Sequence, residues 1–374
     1  MGGAKSASFQ GPDSISIYDL VGGRRRGPAF RPGRGHMRRL KVVQQGKLPL
    51  EYAALRQQRE DMQPLLQERL PVNAGPDGRK PPWLKARAPG LGEYINLKRL
   101  MRAKTLHTVC EEAHCPNMGE CWGQGTATFM ILGDICTRSC SYCAVATGLP
   151  EELDRSEPLR VAEAVKAMDL KHAVITSVNR DDLPDGGAAL FAETIRAIRE
   201  LAPGCSIEVL TPDFKGDPSA VAAVVEARPE IFSHNLETVR RLYRFIRPGG
   251  RYDRALAVLS HSKAIDPTVI TKSGIICGMG ETRDELAEAM VDLADVGIEI
   301  LTLGQYLRPS PDHLPIDRYY TPDEFAELKR LGEQEIGFKH VEAGPLVRSS
   351  YHAREQVESL GCGSHTRPAG PAGS

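Results

Sequence analysis

The 374-residue sequence predicts an α/β fold on a largely parallel sheet, in the form of a full or partial (β/α) barrel. From about residue 126 onward, short apolar runs alternate with segments of helical periodicity. The apolar runs are nearly continuous, as expected for parallel strands that are covered on both faces. Six or seven such units in about 220 residues favour a barrel, in which functional side chains collect at the carboxyl ends of the strands.

Each predicted strand is a short apolar run between turn residues. The predicted strands are 128–132, 173–178, 206–210, 230–234, 269–276, 298–302 and 338–341. Helices lie between them, and helical spacing is clearest at Leu286, Met290 and Leu293 and at Phe325, Leu328 and Leu331. The second of these helices should begin at Thr321, because proline follows at the first helical position and Glu324 stands three residues after the cap.

Composition excludes several classes of protein. Lys plus Arg and Asp plus Glu number 48 each, so net charge gives no reason to expect a nucleic-acid partner. No apolar run approaches the roughly 18 residues that a membrane span needs, so we expect no membrane insertion. The N-terminus lacks the apolar core of a secretory signal peptide, and we therefore expect a cytoplasmic protein.

Residues 1–50 differ from the rest of the chain in charge. Ten Lys and Arg stand against two acids, which gives this segment a charge of +8 and predicts a basic, disordered tail. A mitochondrial transit peptide is the alternative, but acids and scattered glycines interrupt the amphipathic helix that it requires. The predicted organisation continues with an N-terminal extension over 51–125, the barrel over 126–342 and a C-terminal extension over 343–374.

Six of the nine cysteines fall between Cys110 and Cys143, which indicates metal ligands or redox centres rather than disulfides. Cys136, Cys140 and Cys143 follow the first predicted strand with the spacing C-x3-C-x2-C. Three thiolates can hold three corners of an iron–sulfur cube and leave one iron open, as a catalytic metal site requires. The alternative is a structural zinc site with a fourth ligand such as His172, although zinc sites prefer C-x2-C pairs.

This spacing resembles the signature of the radical S-adenosylmethionine (SAM) superfamily. The resemblance implies a 4Fe–4S cluster on Cys136, Cys140 and Cys143, with SAM bound to the open iron and cleaved to a 5′-deoxyadenosyl radical. It also implies that Tyr142, the aromatic residue before the third cysteine, lies near the adenine of SAM. The expected fold is therefore a partial (β/α)6-type TIM barrel of the radical SAM kind.

A second triplet, Cys110, Cys115 and Cys121, has the spacing C-x4-C-x5-C, which matches neither zinc sites nor common ferredoxins. With its surroundings it resembles the lipoyl synthase family of radical SAM enzymes. The resemblance extends over residues 80 to 355, and its strongest segments are 106–117, 120–122, 176–187, 271–274, 304–310 and 344–353.

The lipoyl synthase resemblance implies a second, auxiliary 4Fe–4S cluster, held by Cys110, Cys115, Cys121 and Ser350 on the two extensions. Ser349 is the rival for the serine position. A serine oxygen is a harder ligand than thiolate and suits this iron less well, so it can be released to open the cluster as a sulfur source. The implied reaction inserts two sulfur atoms, at C6 and C8 of a protein-bound octanoyl chain, with two SAM molecules consumed.

Further residues at the predicted strand ends are candidates for contacts with SAM or substrate. They are Asn179, Arg180, Asp185, Gly186, Gly187, Lys272, Ser273, Gln305 and Arg308. Loop capping is the alternative role for Asn179 and Arg180. Cys205 and Cys277 are expected to be small buried residues, and Cys362 to lie in a mobile tail.

The resemblance also implies partners. These are octanoylated carrier domains (2-oxoacid dehydrogenase E2 subunits and the glycine cleavage H protein), a ferredoxin- or flavodoxin-type electron donor, and an iron–sulfur carrier that rebuilds the auxiliary cluster. The enzyme is expected to act as a monomer. Two other classes remain open on the residues alone, a two-cluster electron-transfer protein and a zinc-dependent binding module.

Overall fold

A computed structural model describes residues 71–75, 78–85, 98–99, 101–112, 115–123 and 126–359. The predicted basic tail over 1–50 and Cys362 lie outside these residues. In the described part of the chain, no helix is both long and apolar enough to cross a membrane.

In the described part of the chain, eight strands form one sheet and two short strands pair separately. The strands are β1 His107–Thr108, β2 Thr126–Ile131, β3 Ile135–Cys136, β4 Ala146–Thr147, β5 His172–Ser177, β6 Ser206–Leu210, β7 Ile231–Ser233, β8 Ile270–Cys277, β9 Ile300–Gln305 and β10 His340–Gly344. The sheet has the order β1-β2-β5-β6-β7-β8-β9-β10. Strand β1 is antiparallel to β2, every other pair in the sheet is parallel, and β3 pairs with β4.

Helices connect the strands. They are α1 Val109–Glu112, α2 Met118–Gly123, α3 Glu157–Ala167, α4 Ala188–Leu201, α5 Pro218–Glu226, α6 Tyr243–Ile246, α7 Tyr252–Ile265, α8 Arg283–Asp295, α9 Pro322–Arg330 and α10 Ala353–Ser359. A 3-10 turn over Phe214–Gly216 follows β6, and a π-helical turn over Leu331–Ile336 extends α9.

The strand order explains the shape of the sheet. From β2 to β10 the parallel strands follow one another in sequence order without reversal. Right-handed crossovers then place the connecting helices on one face, and the sheet must curl to enclose its other face. Within the described residues β10 pairs with neither β1 nor β2, so the barrel is partial and open, as predicted.

The structure contains all seven predicted strands, and most of their bounds agree within two residues. The largest shifts are at β10, which was predicted over 338–341 and lies at His340–Gly344, and at β9, which was predicted over 298–302 and lies at Ile300–Gln305. The apolar residues at the start of β9 identified this strand, but its polar carboxyl end was not predicted. The predicted start of α9 is confirmed, because the Thr321 side chain accepts from the Glu324 backbone N–H in a full capping box.

Candidate active site

A cavity of about 520 Å³ lies at the carboxyl ends of the parallel strands. Side chains or backbone from five strands line it: Met130 of β2, Thr176 of β5, Leu210 of β6, Ile275 of β8 and Gly304 of β9. Because these strands span the sheet from one side to the other, the sheet curves around the cavity. This is the location that the barrel prediction gave for the functional residues.

The first cysteine triplet lines this cavity on the loop between β3 and β4. Cys136 ends β3, and Cys140 and Cys143 follow in the loop. The Cys136 Sγ accepts hydrogen bonds from the backbone N–H groups of Arg138 at 3.4 Å and Asn179 at 3.3 Å. Donors of this kind stabilise a thiolate and tune the potential of a bound iron–sulfur cluster.

Arg138 anchors this loop, a role that the sequence did not indicate. Its guanidinium donates to both oxygens of Asp181, at 2.7 and 2.8 Å, and to both oxygens of Asp213, at 3.0 and 2.7 Å. Burial alone would raise the pKa of Asp213, but Arg138 and Arg254 outweigh it and hold that pKa well below its usual value. The clamp therefore ties the cysteine loop to the loops after β5 and β6.

We expect Arg138→Met to lower the free energy of unfolding by about 3 kcal/mol, because it leaves the buried carboxylate of Asp213 without its main partner. Arg254 still contacts Asp213, so the loss should fall at the lower end of the range for broken buried pairs. Urea denaturation of the apoprotein measures this. Arg240→Met, which removes an arginine with an exposed side chain, should cost at most about 1 kcal/mol; equal costs for the two variants would contradict the clamp.

The second triplet reaches the same region from the N-terminal side. Cys110 lies in α1, Cys115 follows it, and Cys121 lies in α2. Cys110 and Cys115 line the cavity, whereas Cys121 does not. Burial, followed by the charges of Cys115 and Cys110, raises the pKa of Cys121 to about 12, so the three thiols are electrostatic neighbours.

The C-terminal segment that follows β10 closes the site. Val347, Arg348, Ser349 and Ser350 all line the cavity. Gly304 permits this close approach, because a Cβ there would lie 2.1 Å from the Val347 carbonyl oxygen. Hydrogen bonds join the segment to earlier parts of the chain, among them Asn117 Nδ2 to the Leu346 oxygen at 2.5 Å, Thr128 Oγ1 to Ser350 Oγ at 2.9 Å, and Tyr351 Oη to Glu120 Oε1 at 3.3 Å.

The donor set suits iron–sulfur clusters. All six clustered cysteines are free thiols, and burial raises the pKa of Cys115, Cys140 and Cys143, the last to about 12. Several thiolates can therefore coexist here only with a cationic centre to compensate them. Among the described residues, no three His, Cys, Asp or Glu side chains are grouped closely enough to hold a single metal ion.

A buried polar cluster lies beside the first triplet, and only Tyr142 among its members was predicted from the sequence. Tyr142, Asn235, Glu237 and Arg247 all line the cavity. Tyr142 lowers the pKa of both Cys140 and Glu237 against the effect of their burial, and Arg247 donates to the Asn235 carbonyl oxygen at 2.7 Å. Burial raises the pKa of Glu237 despite the nearby Arg247. The polar run at 234–238 after a predicted strand was the available signal.

Three predicted contact residues line the cavity: Asn179, Gln305 and Arg308. The Asn179 Oδ1 and the Asn235 Oδ1 are buried without a hydrogen-bond partner, as expected for acceptors that would bind a ligand in the cavity. Arg308 also lines the cavity, while its guanidinium donates to carbonyl oxygens of its own loop. The Gln305 amide is satisfied by the backbone of Arg318 and Tyr320, so its role is to hold that loop.

The other predicted contact residues lie outside the cavity lining. Lys272 is buried in an ion pair with Glu208 at 3.0 Å, and Ser273 donates to the His234 oxygen at 2.9 Å. Arg180 pairs with Asp182 at 2.8 Å and faces a smaller pocket. These side chains fix the strands and loops around the cavity, and a direct role for them in binding stays a prediction.

The loop at 185–187 likewise has a structural role. The Asp185 carboxylate accepts from the backbone N–H groups of Gly187 and Ala189 at 2.9 Å and so begins α4. Gly186 and Gly187 adopt φ of 62° and 92°, and a Cβ on Gly187 would lie 2.3 Å from the Leu132 side chain. Their predicted contact with SAM stays a prediction.

His172, the candidate zinc ligand, lies away from the first triplet. Its Nδ1 is 2.7 Å from the Ser206 Oγ, and its Nε2 is 3.6 Å from Glu208. It begins β5, whereas Ser177 at the end of that strand lines the cavity, about 16 Å further along. Cys205 and Cys277 are buried, as predicted.

The partial parallel barrel with three cysteines in the loop after its first parallel strand defines a radical SAM enzyme, and the profile of the radical SAM superfamily matches residues 130–293. The profile of the N-terminal domain of lipoyl synthase matches residues 41–115. The chain belongs to the lipoyl synthase family, which implies SAM and a 4Fe–4S cluster.

Curated relatives support this membership. The lipoyl synthase of Rubrobacter xylanophilus is 59% identical over 77% of this chain and 94% of its own length. The lipoyl synthase of Roseiflexus sp. is 52% identical over 80% of this chain and 98% of its own length. A solved structure, HydG, a maturase of the [FeFe]-hydrogenase, is more distant, with a TM-score of 0.48 and 16% identity over 71% of this chain and 60% of its own.

Proposed function

We propose that this lipoyl synthase inserts two sulfur atoms, at C6 and C8 of a protein-bound octanoyl-lysine chain, and consumes two SAM molecules. The observation that carries the proposal is the meeting of two cysteine sets in one cavity. Cys136, Cys140 and Cys143 line it from the β3–β4 loop, while Cys110 and Cys115 line it from the N-terminal extension. A site that must align a radical, a carbon and a sulfur atom requires this proximity.

We assign Cys136, Cys140 and Cys143 to the radical-site 4Fe–4S cluster. Cys110, Cys115, Cys121 and Ser350 are assigned to the auxiliary cluster. When bound, the radical-site cluster supplies the electron that cleaves SAM, and the auxiliary cluster is the sulfur-donating substrate. Ser350 is supported over Ser349 because the structure gives it a partner in Thr128.

The chain itself positions the reactants and excludes water. Met130, Val178 and Leu210 supply apolar surface in the cavity, which suits the methylene groups of an octanoyl chain. Asn179, Asn235 and Glu237 supply polar groups, which suit the hydroxyl and ammonium groups of SAM. Tyr142 lines the cavity together with Cys140, in agreement with a position next to bound SAM.

The proposed partners follow from the reaction. An octanoylated carrier domain presents the substrate, a ferredoxin- or flavodoxin-type protein supplies electrons, and an iron–sulfur carrier rebuilds the auxiliary cluster. We propose a monomer in the cytoplasm, with no nucleic-acid partner.

Anaerobically reconstituted protein should hold about eight iron atoms per chain, because the assigned ligands form two separate cubes. Analysis of iron, sulfide and zinc in one sample measures this. Saturation at four irons would contradict the proposal of an auxiliary cluster, and one zinc per chain would support a zinc-dependent binding module. Eight irons without SAM cleavage under reducing conditions would support an electron-transfer protein.

A further inference from the structure

We propose that Thr128 is a positioning residue for Ser350, whose oxygen it holds toward the auxiliary site by donating a hydrogen bond to it. The inference rests on the proposed function, because it assumes that Ser350 binds the auxiliary cluster. It adds a residue on β2, inside the barrel, to a site whose assigned ligands all come from the two extensions.

The contact joins residues that are far apart in the chain. Thr128 Oγ1 donates to Ser350 Oγ at 2.9 Å across 222 residues of sequence. Thr128 is buried, and it lies two residues before Met130, so both side chains point to the cavity face of β2. Among the described residues, no other hydrogen bond involves either hydroxyl.

Thr128 is held rigidly enough to position a partner. Its strand is paired on both sides, with Phe129 opposite Thr108 of β1 and Thr128 opposite Val174 of β5. A β-branched side chain in a strand has restricted χ1, so the Thr128 hydroxyl has little freedom to turn away. Strand β1, which pairs with the strand of Thr128, leads directly into the helix that contains Cys110. The hydroxyl donor and one cysteine ligand are therefore attached to the same pair of strands.

The direction of the hydrogen bond matters for the chemistry. A serine oxygen bound to iron has lost its proton and can only accept, so Thr128 is the donor in the ligated form and the other lone pairs of Ser350 remain free for the metal. A serine oxygen on iron carries negative charge, and a hydrogen bond to a charged oxygen is about twice as strong as a neutral one. Thr128 therefore stabilises the ligated form of Ser350 more than the released form, and it fixes the rotamer that reaches the cluster.

Thr128→Val tests this directly, because valine keeps the shape and the strand preference of threonine and removes the donor. Thr128→Ser keeps the donor and should restore the parent behaviour. Thr126→Val is the matched control. Thr126 is buried and lies on the same strand and face, but the hydrogen bond to Ser350 comes from Thr128 and not from Thr126.

The measurement is iron release to a chelator from full-length reconstituted protein. Cys136, Cys140 and Cys143 are replaced with alanine in every sample, so that the remaining iron belongs to the auxiliary site. We expect Thr128→Val to release iron about tenfold faster than this parent, from the usual strength of a hydrogen bond to a charged group. Thr128→Ser and Thr126→Val should release iron at the parent rate.

A double-mutant cycle separates positioning from general destabilisation. In a Ser350→Ala background the donor has no oxygen to hold, so Thr128→Val should cause no further acceleration. With the radical-site cysteines intact, Thr128→Val should also cleave SAM at the parent rate. An undiminished effect in the Ser350→Ala background, an equal effect of Thr126→Val, or a loss of SAM cleavage would each overturn the inference.

The same samples distinguish this inference from the function on which it rests. If the protein without radical-site cysteines binds no iron–sulfur cluster, the auxiliary-site proposal is wrong, and the inference fails with it. If it binds the cluster and Thr128→Val releases iron at the parent rate, the role of Thr128 alone is wrong.

Discussion

Cys140→Ala is expected to abolish reductive cleavage of SAM, because the radical site then has two of its three protein ligands. Cys140 lies between the other two ligands on the β3–β4 loop and lines the cavity together with Tyr142. Deoxyadenosine formed per chain under reducing conditions measures the effect. Since a cube held at two corners leaves no defined open iron, the loss should exceed a thousandfold, about 4 kcal/mol of barrier.

Cys115→Ala is the matched variant in the second triplet. It removes one ligand of the proposed sulfur donor and leaves the radical site untouched, so SAM cleavage should persist while no sulfur reaches the octanoyl chain. Together, the two alanine variants should assign SAM cleavage to the first cysteine triplet and sulfur donation to the second. Lipoyl product from Cys115→Ala at the parent rate would contradict the sulfur-donor assignment.

Ser350→Cys is expected to retain both clusters and to lose nearly all sulfur insertion. Thiolate is the softer partner for iron, so the auxiliary cluster should be held more tightly and should open less readily. SAM cleavage should continue, because Ser350 is not among the radical-site ligands. The expected pattern is therefore an unchanged iron content, deoxyadenosine in solution and little lipoyl product by mass spectrometry.

Ser349→Ala is the control for that experiment, since Ser349 lines the same cavity but lacks the contact with Thr128. Its effect should be mild. A reversal of the two results would assign the ligand to Ser349, and normal turnover by both variants would exclude serine release from the mechanism.

The fold was predictable because its signals are local. Most of the buried strands contain a short run rich in apolar residues, and the start of α9 is specified within four residues, from Thr321 to Glu324. The polar carboxyl end of β9 escaped prediction because Gly304 and Gln305 face the cavity and its loops rather than a core. The two cysteine triplets were also evident, since close spacing requires no knowledge of the tertiary structure.

Contacts between distant segments could not be predicted from one sequence. The clamp of Arg138 on Asp181 and Asp213 joins three separate loops, and no local pattern identifies which arginine of the chain has two carboxylate partners. Conversely, Lys272 looked like a binding residue at a strand end, but the structure pairs it with Glu208 inside the barrel. In both cases the curvature of the sheet brings together charged side chains that are far apart in the sequence.

The origin of the inserted sulfur tests the central claim most directly. The enzyme is reconstituted with a heavy sulfur isotope in its clusters and is then given octanoylated carrier domain, SAM and reductant for a single turnover without other sulfur. We expect mass spectrometry to find lipoyl product with two heavy sulfur atoms, because both come from the auxiliary site. Lipoyl product that carries only light sulfur would contradict the assignment of Cys110, Cys115, Cys121 and Ser350 as the sulfur-donating site.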